Sequence, residues 1–167
     1  SYALGKKYAR VVNHGLERLF ETERADGDEV GFIGVLDCDV FPGRTYYREL
    51  IRKFLQDSTL GIASAGTALE EGDDGSLGRS TTRKGHAPGG FRVWRRECLQ
   101  ETGYQITISQ DAVSEARAIM LGWRVRSFPE LAVTMRKRGS KFGYEYYGKS
   151  AFVRGVPFWY VVLGALK

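Results

Sequence analysis

The residues with the clearest chemical potential are two carboxylates. Asp37 and Asp39 flank Cys38 directly after Val30-Gly31-Phe32-Ile33-Gly34-Val35-Leu36. An apolar run of that length reads as a strand buried on both faces, a parallel one in an α/β protein. Residues i and i+2 of an extended segment point to one side, so both carboxylates can face one crevice. Ligands of open α/β sheets bind in such a crevice, outside the carboxyl ends of the strands. Two hard oxygen ligands there suit Mg²⁺ or Mn²⁺, which take one or two carboxylates plus substrate phosphates. The same triplet also serves as a turn, one Asp capping the chain before Pro42 and the other solvated.

Asp111 is the third candidate. It falls in the first turn of a helix that Ser109 is placed to cap, where an acidic residue is favoured by the helix dipole whether or not it does chemistry. The run Arg92, Arg95, Arg96 is suited to phosphate and equally to a solvated surface. His14 and His86 are isolated, with no partner at metal-ligand spacing, and His86 reads as an exposed loop residue. Ser-His-Asp and Cys-His signatures, a phosphate-loop consensus and G-x-G-x-x-G after a strand are all absent from the sequence.

Helices and strands alternate around these residues. Val11, Val12, Leu16, Leu19 and Phe20 recur at helical spacing up to Asp26-Gly27-Asp28. After Pro42-Gly43 a second amphipathic helix places Tyr47, Leu50, Ile51, Phe54 and Leu55 on one side. Leu60 to Ala65 reads as a strand. Residues 70–88 are polar, with Leu77 and Ala87 the only apolar members, and are expected to form a mobile loop that closes over a ligand. Phe91 to Trp94 reads as a short strand leading into a helix to Thr102. The helix after Ser109 is expected to bury Val113, Ala116, Met120 and Leu121. Two strand-like runs follow, Trp123 to Phe128 and, beyond Pro129, Leu131 to Met135. Tyr144 to Val153 reads as helical. Helix, buried strand, helix is the grammar of an α/β domain.

Composition sets the outer limits. A chain of 167 residues, 43% hydrophobic and 27% charged, affords one core and is not disordered by composition. The apolar C-terminal segment, Phe158 to Leu166, is about half the roughly 20 residues needed to span a bilayer. It is expected to pack on the domain or rest on a membrane surface. Two distant cysteines fit neither a disulfide framework nor a zinc cluster, pointing to a reducing, cytoplasmic compartment. The net charge of +5 fits any anionic partner.

In order and spacing the pieces resemble the family-2 inverting glycosyltransferases of the GT-A fold. The matching residues are Leu36-Asp37-Cys38-Asp39-Val40 with Pro42, then Gly89-Gly90-Phe91-Arg92-Val93-Trp94-Arg95-Arg96-Glu97-Cys98-Leu99 with Gly103. Gln110-Asp111 with Ala116, Gly122-Trp123-Arg124-Val125, and Asn13 in an Ala-Arg-x-x-Asn context complete the set. The likeness runs from about Gly5 to Leu131. It implies a mixed sheet flanked by helices, in one domain over 1–167 that lacks the family's N-terminal, base-reading part. It implies a divalent metal, Mn²⁺ or Mg²⁺, on Asp39 with Asp37 as its partner near the donor. Asp111 matches the general base, and Gly89, Gly90 and Arg95 match positions beside the donor. The partners implied are a nucleotide-diphosphate sugar and an acceptor hydroxyl, with peripheral contact at the cytoplasmic membrane face and no nucleic acid. Two departures stand out. Val133-Thr134-Met135-Arg136 carries no histidine where many relatives have a further metal ligand, and Gln-x-x-Arg-Trp is missing, which favours transfer of a single sugar. The rival readings are a basic module for nucleic acid or membrane, and a sugar-phosphate nucleotidyltransferase.

Overall fold

The structure, a computed structural model, describes residues 2–72, 76–82, 85–136 and 143–159, with only the backbone described for 2–4 and 143–147. Five helices and six strands follow in the order α1 (Tyr2–Asp26), β1 (Phe32–Leu36), β2 (Val40–Pro42), α2 (Tyr46–Gln56), β3 (Leu60–Glu71), β4 (Leu77–Thr81), β5 (Phe91–Arg95), α3 (Arg96–Thr102), α4 (Gln110–Met120), β6 (Arg124–Arg136) and α5 (Gly143–Val153). The sheet order is β1-β5-β3-β6-β2, with β4 also on β3. Among the described residues only β3 and β6 run parallel, and every other pairing is antiparallel. A mixed sheet flanked by helices is therefore what the chain forms.

Period-2 alternation sorts the core onto the two faces of this sheet. Phe91, Val93 and Ala63 pack with Leu50 and Phe54 of α2 on one face. Trp94 and Ile62 pack with Leu99 of α3, Ala118 of α4 and the Tyr8–Leu16–Phe20 stripe of α1 on the other. Leu50 and Phe54 are fully buried, each contributing about 1.5–3 kcal/mol. The inward stripe of α2 begins at Tyr46 rather than Tyr47, and Leu55 faces solvent.

Several expectations are corrected. The run ending at Leu36 forms an edge strand, antiparallel to β5, and only Ile33 in it is buried. Apolar composition reported that helices cover its faces, not that both its edges are paired. Asp37 to Val40 is a tight turn, closed by the Val40 amide donating to the Asp37 carbonyl at 3.1 Å, so the i, i+2 argument for an extended segment does not apply. The stretch 70–88 is in large part a hairpin: β3 runs on to Glu71 and β4 pairs with its last five residues. Every β4 side chain is exposed, so no apolar alternation announced the strand. In α4 the buried residues are Gln110, Ser114, Glu115 and Ala118, while Met120 is 86% exposed and Leu121 is half exposed. Most of the C-terminal apolar segment, 160–167, lies outside the described residues. Among those described, no helix is long and apolar enough to cross a membrane.

The two runs around Pro129 are one continuous strand. Proline interrupts a ladder because it has no N–H, and the β3–β6 register shifts at that point, between the Ala65 and Thr67 pairings. Gly66 fills the gap. A Cβ there would lie 2.7 to 2.9 Å from backbone atoms of Phe128 and Pro129. The neighbouring groups are still satisfied, as the Thr67 hydroxyl donates to the Pro129 carbonyl at 3.1 Å and the Thr82 amide donates to the Gly66 carbonyl at 2.8 Å. The shift also divides the long strands into a half carrying β5 and a half carrying β4 and β2. Gly66→Ala is expected to cost about 1–3 kcal/mol by overpacking, roughly 2–4 °C of melting temperature per kcal/mol. Gly78→Ala, whose Cβ would meet only ordinary contacts in the exposed β4, is expected to be nearly neutral. Thermal unfolding of both variants checks this.

Candidate functional site

The site is built where β1 ends, where β5 begins and where α4 begins. Gly89-Gly90 is its backbone floor. The Asp37 amide donates to the Gly90 carbonyl at 2.7 Å, continuing the β1–β5 ladder by one bond. A Cβ on Gly90 would overlap the Asp37 carboxylate, and one on Gly89 would overlap that of Asp111. Two carboxylates far apart in sequence are thus pressed against consecutive glycines. Asp37, Gly89, Gly90 and Asp111 all line one cavity of about 390 Å³, whose far wall is the β3–β4 hairpin and the end of α5.

Each carboxylate is held by a phenol. The Tyr8 hydroxyl on α1 donates to Asp37 Oδ1 at 2.7 Å, and the Tyr104 hydroxyl donates to Asp111 Oδ1 at 2.9 Å. Burial first, then the adjoining carboxylate, raises the ionisation of both phenols well above the ordinary tyrosine range. Both therefore remain donors at neutral pH. Asn13 links the two supports, since its amide donates to the Ala9 carbonyl at 2.8 Å and to the Tyr104 carbonyl at 2.9 Å.

Under the floor lies Arg92, wholly buried. Its guanidinium donates to the carbonyls of Ala87, Pro88 (3.5 Å) and Asp111 (3.1 Å), and it lies 3.5 Å from the carboxylate of Glu115. Glu115 also accepts from the Ala87 amide at 3.2 Å and meets His86 Nδ1 at 3.0 Å. One cation thus fixes both the loop that carries Gly89 and the turn that carries Asp111. The start of α4 is strained to fit: Ser109 has φ +60°, and its hydroxyl bonds Ser150 on α5 instead of capping the helix.

The other expected residues lie elsewhere. Asp39 is on the β1–β2 turn, where its carbonyl accepts from the Arg136 amide at 3.3 Å, and it is not among the residues lining the cavity. Arg95 donates to the carbonyls of Leu60 (3.0 Å), Phe54 (2.6 Å) and Asp57 (3.1 Å), and so closes the end of α2. Arg96 holds Glu23 through contacts of 2.6 and 2.7 Å. The basic run is spent inside the fold. Tyr8, Tyr104 and Glu115 were missed, because a buried tyrosine or glutamate gives no sign in the sequence of which side chain it will meet.

Two carboxylates of hard oxygen are a donor set suited to Mg²⁺ or Mn²⁺. Among the described residues no group of three or more His, Cys, Asp or Glu could hold a metal ion. Asp37 lines the cavity and Asp39 does not, so a metal held by the pair would need its remaining ligands from a substrate and water.

No family model matches the chain, and no curated protein matches it. Solved structures do. A197 from STIV superimposes with a TM-score of 0.51 at 14% identity, over 79% of this chain and 77% of that one. What the two share is the fold. The mannosyltransferase PcManGT from Pyrobaculum calidifontis, in complex with GDP-Man and Mn²⁺, aligns with a TM-score of 0.49 at 17% identity over 77% of this chain. The alignment spans 38% of the mannosyltransferase.

The arrangement makes Arg92 the strut of the site. Arg92→Met is expected to cost about 3–5 kcal/mol, the loss from leaving a buried carboxylate without its partner. Urea unfolding measures it.

Proposed function

We propose that this chain is the catalytic part of an inverting, metal-dependent glycosyltransferase of the GT-A type, moving one sugar from a nucleotide diphosphate to an acceptor hydroxyl. The observation that supports it most is the convergence of Asp37 and Asp111 on Gly89-Gly90 at the carboxyl end of β1, facing one cavity. The family-2 order of motifs in the sequence points the same way.

Asp37 and Asp39 would hold the divalent metal, which when bound neutralises the charge of the departing diphosphate. The other work is assigned to the chain itself. Asp111 accepts the acceptor's hydroxyl proton as that oxygen attacks the sugar C1 on the face opposite the leaving group. The Tyr104 hydroxyl occupies Oδ1, so Oδ2 is the oxygen left for the proton. Gly89 and Gly90, lacking side chains, let the Asp111 and Asp37 carboxylates lie directly against the backbone of the cavity. Tyr8 fixes the rotamer of Asp37, and its long helix ties that residue to the core.

Asp111→Asn is expected to lower turnover by roughly 100-fold or more, the size of a lost acid–base contribution, with donor affinity retained. Asp39→Ala is expected to do the reverse at the binding step and abolish Mn²⁺-dependent donor affinity. Nucleoside diphosphate release and calorimetry on the intact protein separate the two. Wild-type turnover in Asp111→Asn contradicts the assignment.

A further inference from the structure

His86 has no part in the transfer reading, yet it is more firmly placed than a solvated loop residue. Its Nδ1 lies 3.0 and 3.1 Å from the two carboxylate oxygens of Glu115. The Glu115 side chain is 9% exposed and is itself fixed by the Ala87 amide and Arg92. A carboxylate only accepts, so Nδ1 carries a proton, and in the neutral imidazole Nε2 keeps its lone pair. The imidazole is 44% exposed, and His86 lines the cavity that Asp37 and Asp111 share. A buried carboxylate that sets the tautomer of an accessible imidazole orients a hydrogen-bond acceptor.

The cavity around it has a definite chemistry. Ser80, Thr81 and Thr82 bring hydroxyls from β4 and the residue after it, and Glu70 brings a third carboxylate beside Asp37 and Asp111. Among the described residues a phosphate there would face three carboxylates, with one arginine, Arg154, lining the cavity to offset them, unless a metal neutralised the charge. A neutral polyhydroxyl compound meets no such repulsion. It donates to carboxylates and to Nε2 and accepts from the hydroxyls.

We propose that His86 is a hydroxyl-binding residue of this cavity, positioned by Glu115 and Arg92, and that its ligand is a neutral carbohydrate, the acceptor in the transfer proposed above. The word acceptor rests on that reading; the binding of a neutral sugar by His86 does not.

The test uses the whole chain, uniformly ¹⁵N-labelled. Two-bond ¹H–¹⁵N correlation at pH 8 is expected to show His86 protonated at Nδ1 and bare at Nε2. Methyl glycosides of glucose, galactose, mannose and N-acetylglucosamine are then titrated separately, and inorganic phosphate after them. At least one glycoside is expected to move the His86 Nε2 resonance saturably, phosphate is expected to leave it in place, and His14 should respond to neither. In His86→Ala the affinity for that glycoside, read on neighbouring amides, should fall about 5–10-fold, the value of one hydrogen bond. A protonated Nε2, an Nε2 that no glycoside moves, or one that phosphate moves overturns the proposal. Glycoside binding without nucleoside diphosphate release from any nucleotide sugar contradicts the transfer reading and leaves this one standing. Release with an unresponsive Nε2 does the opposite.

Discussion

A guanidinium buried to zero exposure must have every charge-bearing contact supplied by the fold, and Arg92 obtains them from the loop and the turn that make the site. Its carbonyl acceptors, Ala87, Pro88 and Asp111, belong to two segments that no secondary structure otherwise joins. Losing the cation would leave three carbonyls and the Glu115 carboxylate competing for donors in a place water cannot easily reach. The position of Gly89-Gly90 relative to Asp111 therefore follows from satisfying one buried charge. The cost of burying it is offset by the number of partners, which is why an arginine with five donors occupies the place.

The rest of the architecture feeds this point. Proline at 129 forces a break in the central ladder, Gly66 accepts it, and the sheet beyond the break carries the hairpin that forms the cavity's far wall. Helix α1 crosses the opposite face and delivers Tyr8 to Asp37, with Asn13 bridging to the segment that delivers Tyr104 to Asp111. The two phenols form a second, uncharged layer of support. They fix rotamers without adding a positive charge that would compete with a bound metal or a proton.

Much of this was legible in the residues, for identifiable reasons. Leu50 and Phe54, the strand from Leu60 and the strand Phe91 to Trp94 follow from patterns that burial enforces. Asp37, Gly89, Gly90 and Asp111 were named together because their order resembles a known arrangement, and the fold brings those four to one cavity. What was not legible is what depends on partners distant in sequence. An edge strand and a central strand of equal hydrophobicity look alike, so β1 was misread. A hairpin whose outer strand is solvated on both faces has no pattern, so β4 was missed. Arginines that satisfy internal carbonyls cannot be told from arginines that wait for phosphate. A polar stripe facing inward, as on α4, inverts the usual inference because Ser114 and Glu115 serve the Tyr104 and Ala87 segments.

In the proposed transferase, contact between bare glycine backbone and carboxylate sets the geometry of the reacting groups. Gly89→Ala tests it most directly, since the added methyl would overlap the Asp111 carboxylate while leaving every titratable group in the protein. The measurement is nucleoside diphosphate release from a panel of nucleotide sugars, with circular dichroism to verify the fold. Displacement of Asp111 by about an ångström is expected to lower turnover by about 100-fold. Wild-type turnover in a correctly folded Gly89→Ala would contradict the account.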